Sequence, residues 1–230
     1  IQAYTLTTTP FLLVGVALGI FLGFRNGASY EKFWEGRKLW GALVNTARSL
    51  TRQICHMTDS QQNHEILQPF QAMFVKRIIA FAHALRCHLR DQEPFEEIKK
   101  FLPADDYAAV VAAKHRPLII LQQLGRDLAI ARDHRWLNEY NHPFLEVQLN
   151  EFSNILGGCE RIKNTPIPFS YSVLTHRIVA AYCLSLPFGL VETTGVLTPI
   201  VVLMISYAFF ELDAIGDEIR SVFCRNDAFA

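Results

Sequence analysis

Apolar residues are unevenly distributed along this chain. Residues 1 to 24 carry no charge, and Phe11 to Phe24 (FLLVGVALGIFLGF) is almost wholly apolar. A second uncharged run, Ile178 to Val191, is parted by Glu192 from a third, Thr193 to Phe210. About 20 residues of helix cross a bilayer core, so the last two runs predict a hairpin of spanning helices that turns at Glu192 to Gly195. The first predicts a single span, with Thr7, Thr8, Thr9 and Pro10 at its interfacial entry. The first two runs are short by that rule, and each taken alone also fits a buried helix of a soluble protein.

Between the runs lies a polar stretch, from about 25 to 170, with apolar residues at helical spacing: Phe70, Met73, Phe74, Ile78, Phe81 and Leu85. Helix breaks are expected at Asp59-Ser60, Glu93-Pro94, Pro103, Pro117, His142-Pro143 and Pro166-Ile167-Pro168. Strand alternation does not persist, and no repeat of 20 to 50 residues is evident. The expected class is all-α, partly in membrane and partly in cytosol.

Flanking charge orients the spans. Arg25, Lys32, Arg37 and Lys38 follow the first run, and Arg161, Lys163, His176 and Arg177 precede the second. Lys and Arg concentrate on cytoplasmic flanks, which places both of those ends in the cytosol. The third run then returns its end, near Glu211 and Asp213, to the same side. The first run needs a partner upstream of residue 1 for this topology to close.

Composition narrows the function classes. Lys+Arg and Asp+Glu both number 22 in 230 residues, so no net field draws the chain to nucleic acid. Half of the residues are hydrophobic, which leans away from an ordinary soluble enzyme. Cys55, Cys87, Cys159, Cys183 and Cys224 lack paired spacing and are odd in number, which fits reduced thiols better than a disulfide framework. No nucleophile elbow, phosphate-cradling glycine loop or HExxH motif occurs, so no catalytic residues and no cofactor are expected.

Within the first run, Gly15, Gly19 and Gly23 recur every four residues, and Val16, Ile20 and Phe24 recur one position later. On a helix these form two neighbouring stripes. The glycine stripe permits close helix approach. The bulky stripe admits two readings, a lipid-facing or core face, or stacked rings around a pore when several copies meet at a common axis. In the second case the constriction gates by wetting and dewetting. Arg25 and the aromatic and charged residues after it (Tyr30, Glu31, Lys32, Phe33, Trp34, Glu35, Arg37, Lys38, Trp40) read as a helix leaving the bilayer. His83 and Cys87 share a helical face, with His88 adjacent, but two ligands do not make a metal site, and none is expected. Glu211, Asp213, Asp217 and Glu218 read as a solvated helix face rather than a metal or acid-base cluster.

Three blocks carry a family resemblance: FRNGASYEKFWEGRKLWG at Phe24 to Gly41, GGCERIKNTPIPFSY at Gly157 to Tyr171, and SYAFFELDAIGDEI at Ser206 to Ile219. In content and order they resemble bacterial bestrophin-like membrane channel proteins. The resemblance implies a homopentamer with four spanning helices per subunit, a large cytosolic helical domain and a central pore. Residues 1–24 are then the pore-lining span, its preceding span missing; 25–170 form the cytosolic domain, 171–212 the transmembrane hairpin, and 213–230 the start of a cytosolic C-terminal segment. The family's hydrophobic neck matches Val16, Ile20 and Phe24, and its cytosolic aperture falls near Tyr140, beside Asn141 and His142.

Animal members carry a calcium-binding acidic cluster after the last span; the matching stretch here, Val222 to Asp227, lacks the acidic run. Animal bestrophins conduct chloride and bacterial relatives can favour cations, so the resemblance leaves ion sign open. The expectation is a multi-pass inner-membrane ion channel whose partners are its own copies, membrane lipid and permeant inorganic ions, not nucleic acid. Two rivals remain: a membrane-anchored regulatory or scaffold protein without ion flux, and a soluble all-α metalloenzyme using His83 and Cys87.

Overall fold

The computed structural model describes residues 8–58, 64–93, 95–165 and 169–221. It is all-α among the described residues. The helices are α1 (Thr8–Met57), α2 (His64–Leu89), α3 (Phe95–Ile98), α4 (Ala104–Ala112), α5 (Arg116–Asp133), α6 (His142–Asn164), α7 (Phe169–Thr194) and α8 (Thr198–Ser221), with a 3-10 turn at Gly195–Leu197 between the last two. An isolated bridge joins Thr58 to Leu137.

Proline chemistry sets several of these starts. Pro103 immediately precedes α4, Pro117 lies in the first turn of α5 and Pro143 in the first turn of α6. There the missing N–H costs nothing, because the first turn's donors have no intrahelical partner. Pro69 and Pro187, by contrast, sit inside α2 and α7 without ending them. The hairpin turn follows α7 and uses Gly195 in the left-handed region, at φ 52°, a few residues beyond the start expected at Glu192. The breaks expected at Asp59-Ser60 and Pro166-Ile167-Pro168 lie outside the described residues, as does Pro94 of the Glu93-Pro94 break.

Contacts divide the chain into two units, Ile1–Glu35 with Thr165–Ala230, and Gly36–Asn164. The division falls within α1, past the change of polarity at Arg25. At 1.5 Å per residue the 50 residues of α1 extend about 75 Å, more than twice a hydrocarbon core of about 30 Å. The aromatic and charged residues after Phe24 therefore mark a change of surroundings on one uninterrupted helix.

In the second unit, α5 packs on α2 and α6. The buried core takes Leu43, Leu50 and Ile54 from α1, Phe74, Ile78, Phe81 and Leu85 from α2, Leu124 and Leu128 from α5, and Phe152 and Ile155 from α6. Phe81 and Phe152 meet edge-on at 5.0 Å, a favoured aromatic geometry. Phe74, Ile78, Phe81 and Leu85 belong to the stripe read from the sequence, which accordingly faces the core.

One polar knot crosses this core. Arg77 of α2 bonds both Asp106 of α4 and Asp127 of α5, and Arg126 reaches the second oxygen of Asp106 at 2.8 Å. Burial pushes Asp106 up, but Arg77 and Arg126 outweigh it and hold the carboxyl below its usual range. Asp127 is deeper; burial outweighs the attraction of Arg77 and pushes it up to about 6. A carboxyl raised in the folded state stabilises the fold while it keeps its proton. That contribution is complete below the ordinary value of 3.8 and is lost as pH rises through about 6. Asp106 has the opposite sign and acts below its own ordinary value. Asp127→Asn keeps a polar group for Arg77 and cannot ionise. Denaturant unfolding should therefore show the variant gaining on the wild type by on the order of 1–2 kcal/mol from pH ~4.5 to ~7.5. A pH-independent difference would remove Asp127 as the titrating group.

Candidate functional site

The first half of α1 has one packed face. Leu18, Leu22, Arg25 and Ser29 are buried, and at about 100° per residue they share one side of the helix. Leu18 and Leu22 form a cluster with Val179 and Cys183 of α7, flanked by Tyr182 and Phe209. The Tyr182 hydroxyl donates to the Phe11 carbonyl at 3.2 Å. A Cβ at Gly15 would run into that hydroxyl, and one at Gly189 would run into the Phe11 ring. These two glycines are what let α1 and α7 come this close.

The glycine stripe is thus used unequally: Gly15 accommodates Tyr182, whereas Cβ atoms at Gly19 and Gly23 would meet nothing within 4 Å. Val16, Ile20 and Phe24 point roughly opposite to the packed face and are 57, 56 and 75 % exposed. They are not core residues of the single chain. The structure leaves them as a continuous uncovered apolar row, four residues apart, that ends at a buried arginine.

Three helices meet around the partner of that arginine, Asp213. Arg25 donates from Nη1 to Oδ1 of Asp213 at 2.5 Å and from Nη2 to the Asp213 carbonyl at 2.7 Å, and both side chains are only 3 % exposed. His176 of α7 stands 2.5 Å from the other carboxylate oxygen through Nδ1, and Asn26 donates to the Leu212 carbonyl at 2.8 Å. A Cβ at Gly216 would collide with Asn26 and the guanidinium. Asp213 reads in the sequence as part of a solvated helix face, and this is a correction: it is buried, and its burial is tolerable because Arg25 neutralises it. Glu211, Asp217 and Glu218 of the same acidic set are exposed, as expected.

Tyr140 lies in the second unit, in the turn between α5 and α6, and is 81 % exposed. Asn138 shapes this turn, its side-chain oxygen accepting from the Tyr140 amide at 3.1 Å and its carbonyl from the amides of Asn141 and His142. Asn141 reaches back to the Met57 carbonyl at 3.4 Å. Arg135, with φ 56°, and Asn138 help to line an adjacent cavity of about 780 Å³.

His83 and Cys87 do not face a common ligand. His83 is 2.9 Å from Glu97 and stacks on Phe101, while Cys87 is buried in the protein interior. Cys55, Cys87, Cys159 and Cys183 take part in no disulfide; Cys224 and the Val222 to Asp227 stretch lie outside the described residues.

Reading the sequence missed that Arg25, Asp213 and His176 form one constellation. The available signal was an arginine closing the first apolar run, an aspartate three residues past the third and a histidine two residues before the second. Charges at the ends of three apolar runs meet when those runs pack side by side.

Comparison with known proteins adds a family. The model of the bacterial/fungal bestrophin proteins matches residues 2–228. The "voltage-dependent anion channel-forming protein RSc3414" of Ralstonia nicotianae is 42% identical over 223 residues, 96% of this chain and 71% of that protein. The "voltage-dependent anion channel-forming protein YneE" of Escherichia coli K12 is 40% identical over 218 residues, covering 94% and 69%. A crystal structure of a bacterial bestrophin homologue from Klebsiella pneumoniae, carrying a point mutation, superposes with a TM-score of 0.90 at 32% identity over 98% of this chain and 82% of that one.

The three-helix lock generates a test. Arg25→Ala strands a buried carboxylate, for which the expected cost is about 3–5 kcal/mol. Replacing both charges by apolar residues, Arg25→Met with Asp213→Leu, strands neither and should cost less. Thermal unfolding of the detergent-solubilised protein reads the order of the two. An Arg25→Ala protein as stable as the wild type would show the pair to be dispensable.

Proposed function

The chain belongs to the bacterial/fungal bestrophin family, and from that premise we propose that it is a subunit of a pentameric ion channel whose neck is formed by Val16, Ile20 and Phe24. The observation that carries this reading is the uncovered apolar row on the face of α1 turned away from α7. A lone helix encloses nothing, but five copies around a shared axis turn each residue of the row into a ring. Val16, Ile20 and Phe24 then stack as three apolar rings about 6 Å apart, four residues at a rise of about 1.5 Å each. Such a constriction offers an ion no ligand. It controls flow through hydration, closed when narrow and dry, conducting when wide enough to wet.

The rest of the architecture supports the same reading. α1 and the α7–α8 segment are long and apolar enough to cross a membrane, and Leu184, Phe188, Leu203 and Met204 expose large apolar side chains. Residues 1–24 and 171–212 provide the spans, and residues 25–170 and 213–230 lie on the cytosolic side, consistent with the basic flanks at Arg25 to Lys38 and Arg161 to Arg177. Tyr140 provides a second aperture on that side. Flow is passive, with no covalent step, in the inner membrane. The relatives' names support anions as the permeant class.

Currents through the full-length protein in planar bilayers test the proposal. Changing Val16, Ile20 and Phe24 together to Ala should raise open probability or conductance by about twofold or more, because smaller, less apolar rings wet more readily. Wild-type reversal potentials in a salt gradient should move toward the chloride equilibrium potential. Unchanged currents in the triple variant would remove these residues from the neck. Absence of flux from the wild type would favour a membrane-anchored scaffold, and a shift toward the cation potential would overturn the anion assignment.

A further inference from the structure

Among the described residues, side chains with metal-ligand chemistry converge at one place that the pore does not use. His88 lies in the last turn of α2, His115 is the residue before α5, and Glu160 lies near the end of α6. His88 Nε2 is 2.9 Å from Oε1 of Glu160, His115 Nδ1 is 3.9 Å from the same oxygen, and one ligand atom from each residue lies within 4.8 Å of the others. The two imidazole rings are 5.7 Å apart.

Zinc holds nitrogen and oxygen ligands at about 2.0–2.2 Å, so in a tetrahedral shell the ligand atoms stand about 3.3–3.6 Å from one another. The observed triangle brackets that spacing. His88 and Glu160 are half-buried and sit on long helices, whereas His115 is exposed at a helix start. Lys163, one turn beyond Glu160, donates to the His88 carbonyl at 2.8 Å and to Asp91 at 2.6 Å, which ties the end of α2 to α6. A cavity of about 300 Å³, lined in part by His115, Ser153 and Glu160, lies beside the triangle and has room for a water at a fourth position.

We propose that His88, His115 and Glu160 form a binding site for a zinc-type divalent cation, with two imidazole nitrogens and one carboxylate oxygen from the protein and water completing the shell. Imidazole suits zinc and its neighbours, while magnesium and calcium prefer oxygen alone, so the donor set selects the former class. An ion there links α2, α5 and α6. It binds the folded state only, so it stabilises this unit in proportion to its occupancy.

Full-length protein in detergent, stripped with a chelator, tests the site by zinc titration against a chromogenic competitor and by cobalt substitution. One ion per subunit is expected, with the visible ligand-field bands of four-coordinate cobalt and a higher unfolding temperature on zinc addition. His115→Ala, at an exposed position, and Glu160→Gln should each weaken zinc binding by at least about tenfold while leaving the metal-free unfolding temperature near that of the wild type. His56→Ala and His83→Ala should leave binding unchanged. Failure of the wild type to take up micromolar zinc would overturn the assignment, as would unaltered binding in both His115→Ala and Glu160→Gln. Binding lost in His83→Ala but kept in His115→Ala would move the site to His83 and Cys87, and so overturn it as well.

Discussion

The buried ion pair between Arg25 and Asp213 is the constraint on which the first unit depends. A guanidinium and a carboxylate removed from water are tolerable only when each satisfies the other and the remaining hydrogen-bond sites find partners. Arg25 meets this with the carboxylate and backbone carbonyl of one residue, and Asp213 gains His176 on its second oxygen. The arrangement has little rotational freedom. Turning α1 by one residue, about 100°, would take the guanidinium out of reach of both oxygens.

Because the rotation of α1 is set at Arg25, so is the direction of every side chain on the preceding turns. Leu18 and Leu22 fall on α7, and Gly15 falls opposite the Tyr182 hydroxyl. Val16, Ile20 and Phe24 necessarily fall on the far side. Close helix contact at Gly15 and Gly189 anchors one end of this interface and the ion pair anchors the other. The packing between these two anchors therefore fixes the direction in which the apolar row faces.

The second unit solves a different problem. Its core of aromatic and aliphatic side chains from α1 to α6 is crossed by Arg77, shared between Asp106 and Asp127. The two carboxylates respond oppositely, Asp106 held down by two arginines and Asp127 raised by burial. The His88, His115 and Glu160 group lies at helix ends of the same unit, where polar side chains of three elements converge.

Much of this was legible in the sequence. Three uncharged runs announced the helices of the first unit, Phe74, Ile78, Phe81 and Leu85 recurred at helical spacing, and Pro103, Pro117 and Pro143 announced three breaks, at each of which the structure opens a helix. The spacing of Val16, Ile20 and Phe24 placed them on one stripe, because helical periodicity is a local property that a linear sequence carries in full. Which way that stripe faces is not local. It depends on Leu18 and Leu22 meeting Val179 and Cys183, and on Arg25 meeting Asp213 188 residues away. The same limit hid the burial of Asp213, which reads as one charge among four on a polar helix end, and the convergence of His88, His115 and Glu160. The sequence by itself determined the helices, their apolar stripes and the family likeness; only the tertiary structure decided which charges are buried, which glycines are filled and which apolar row is left uncovered, because those outcomes rest on contacts between segments far apart in the chain.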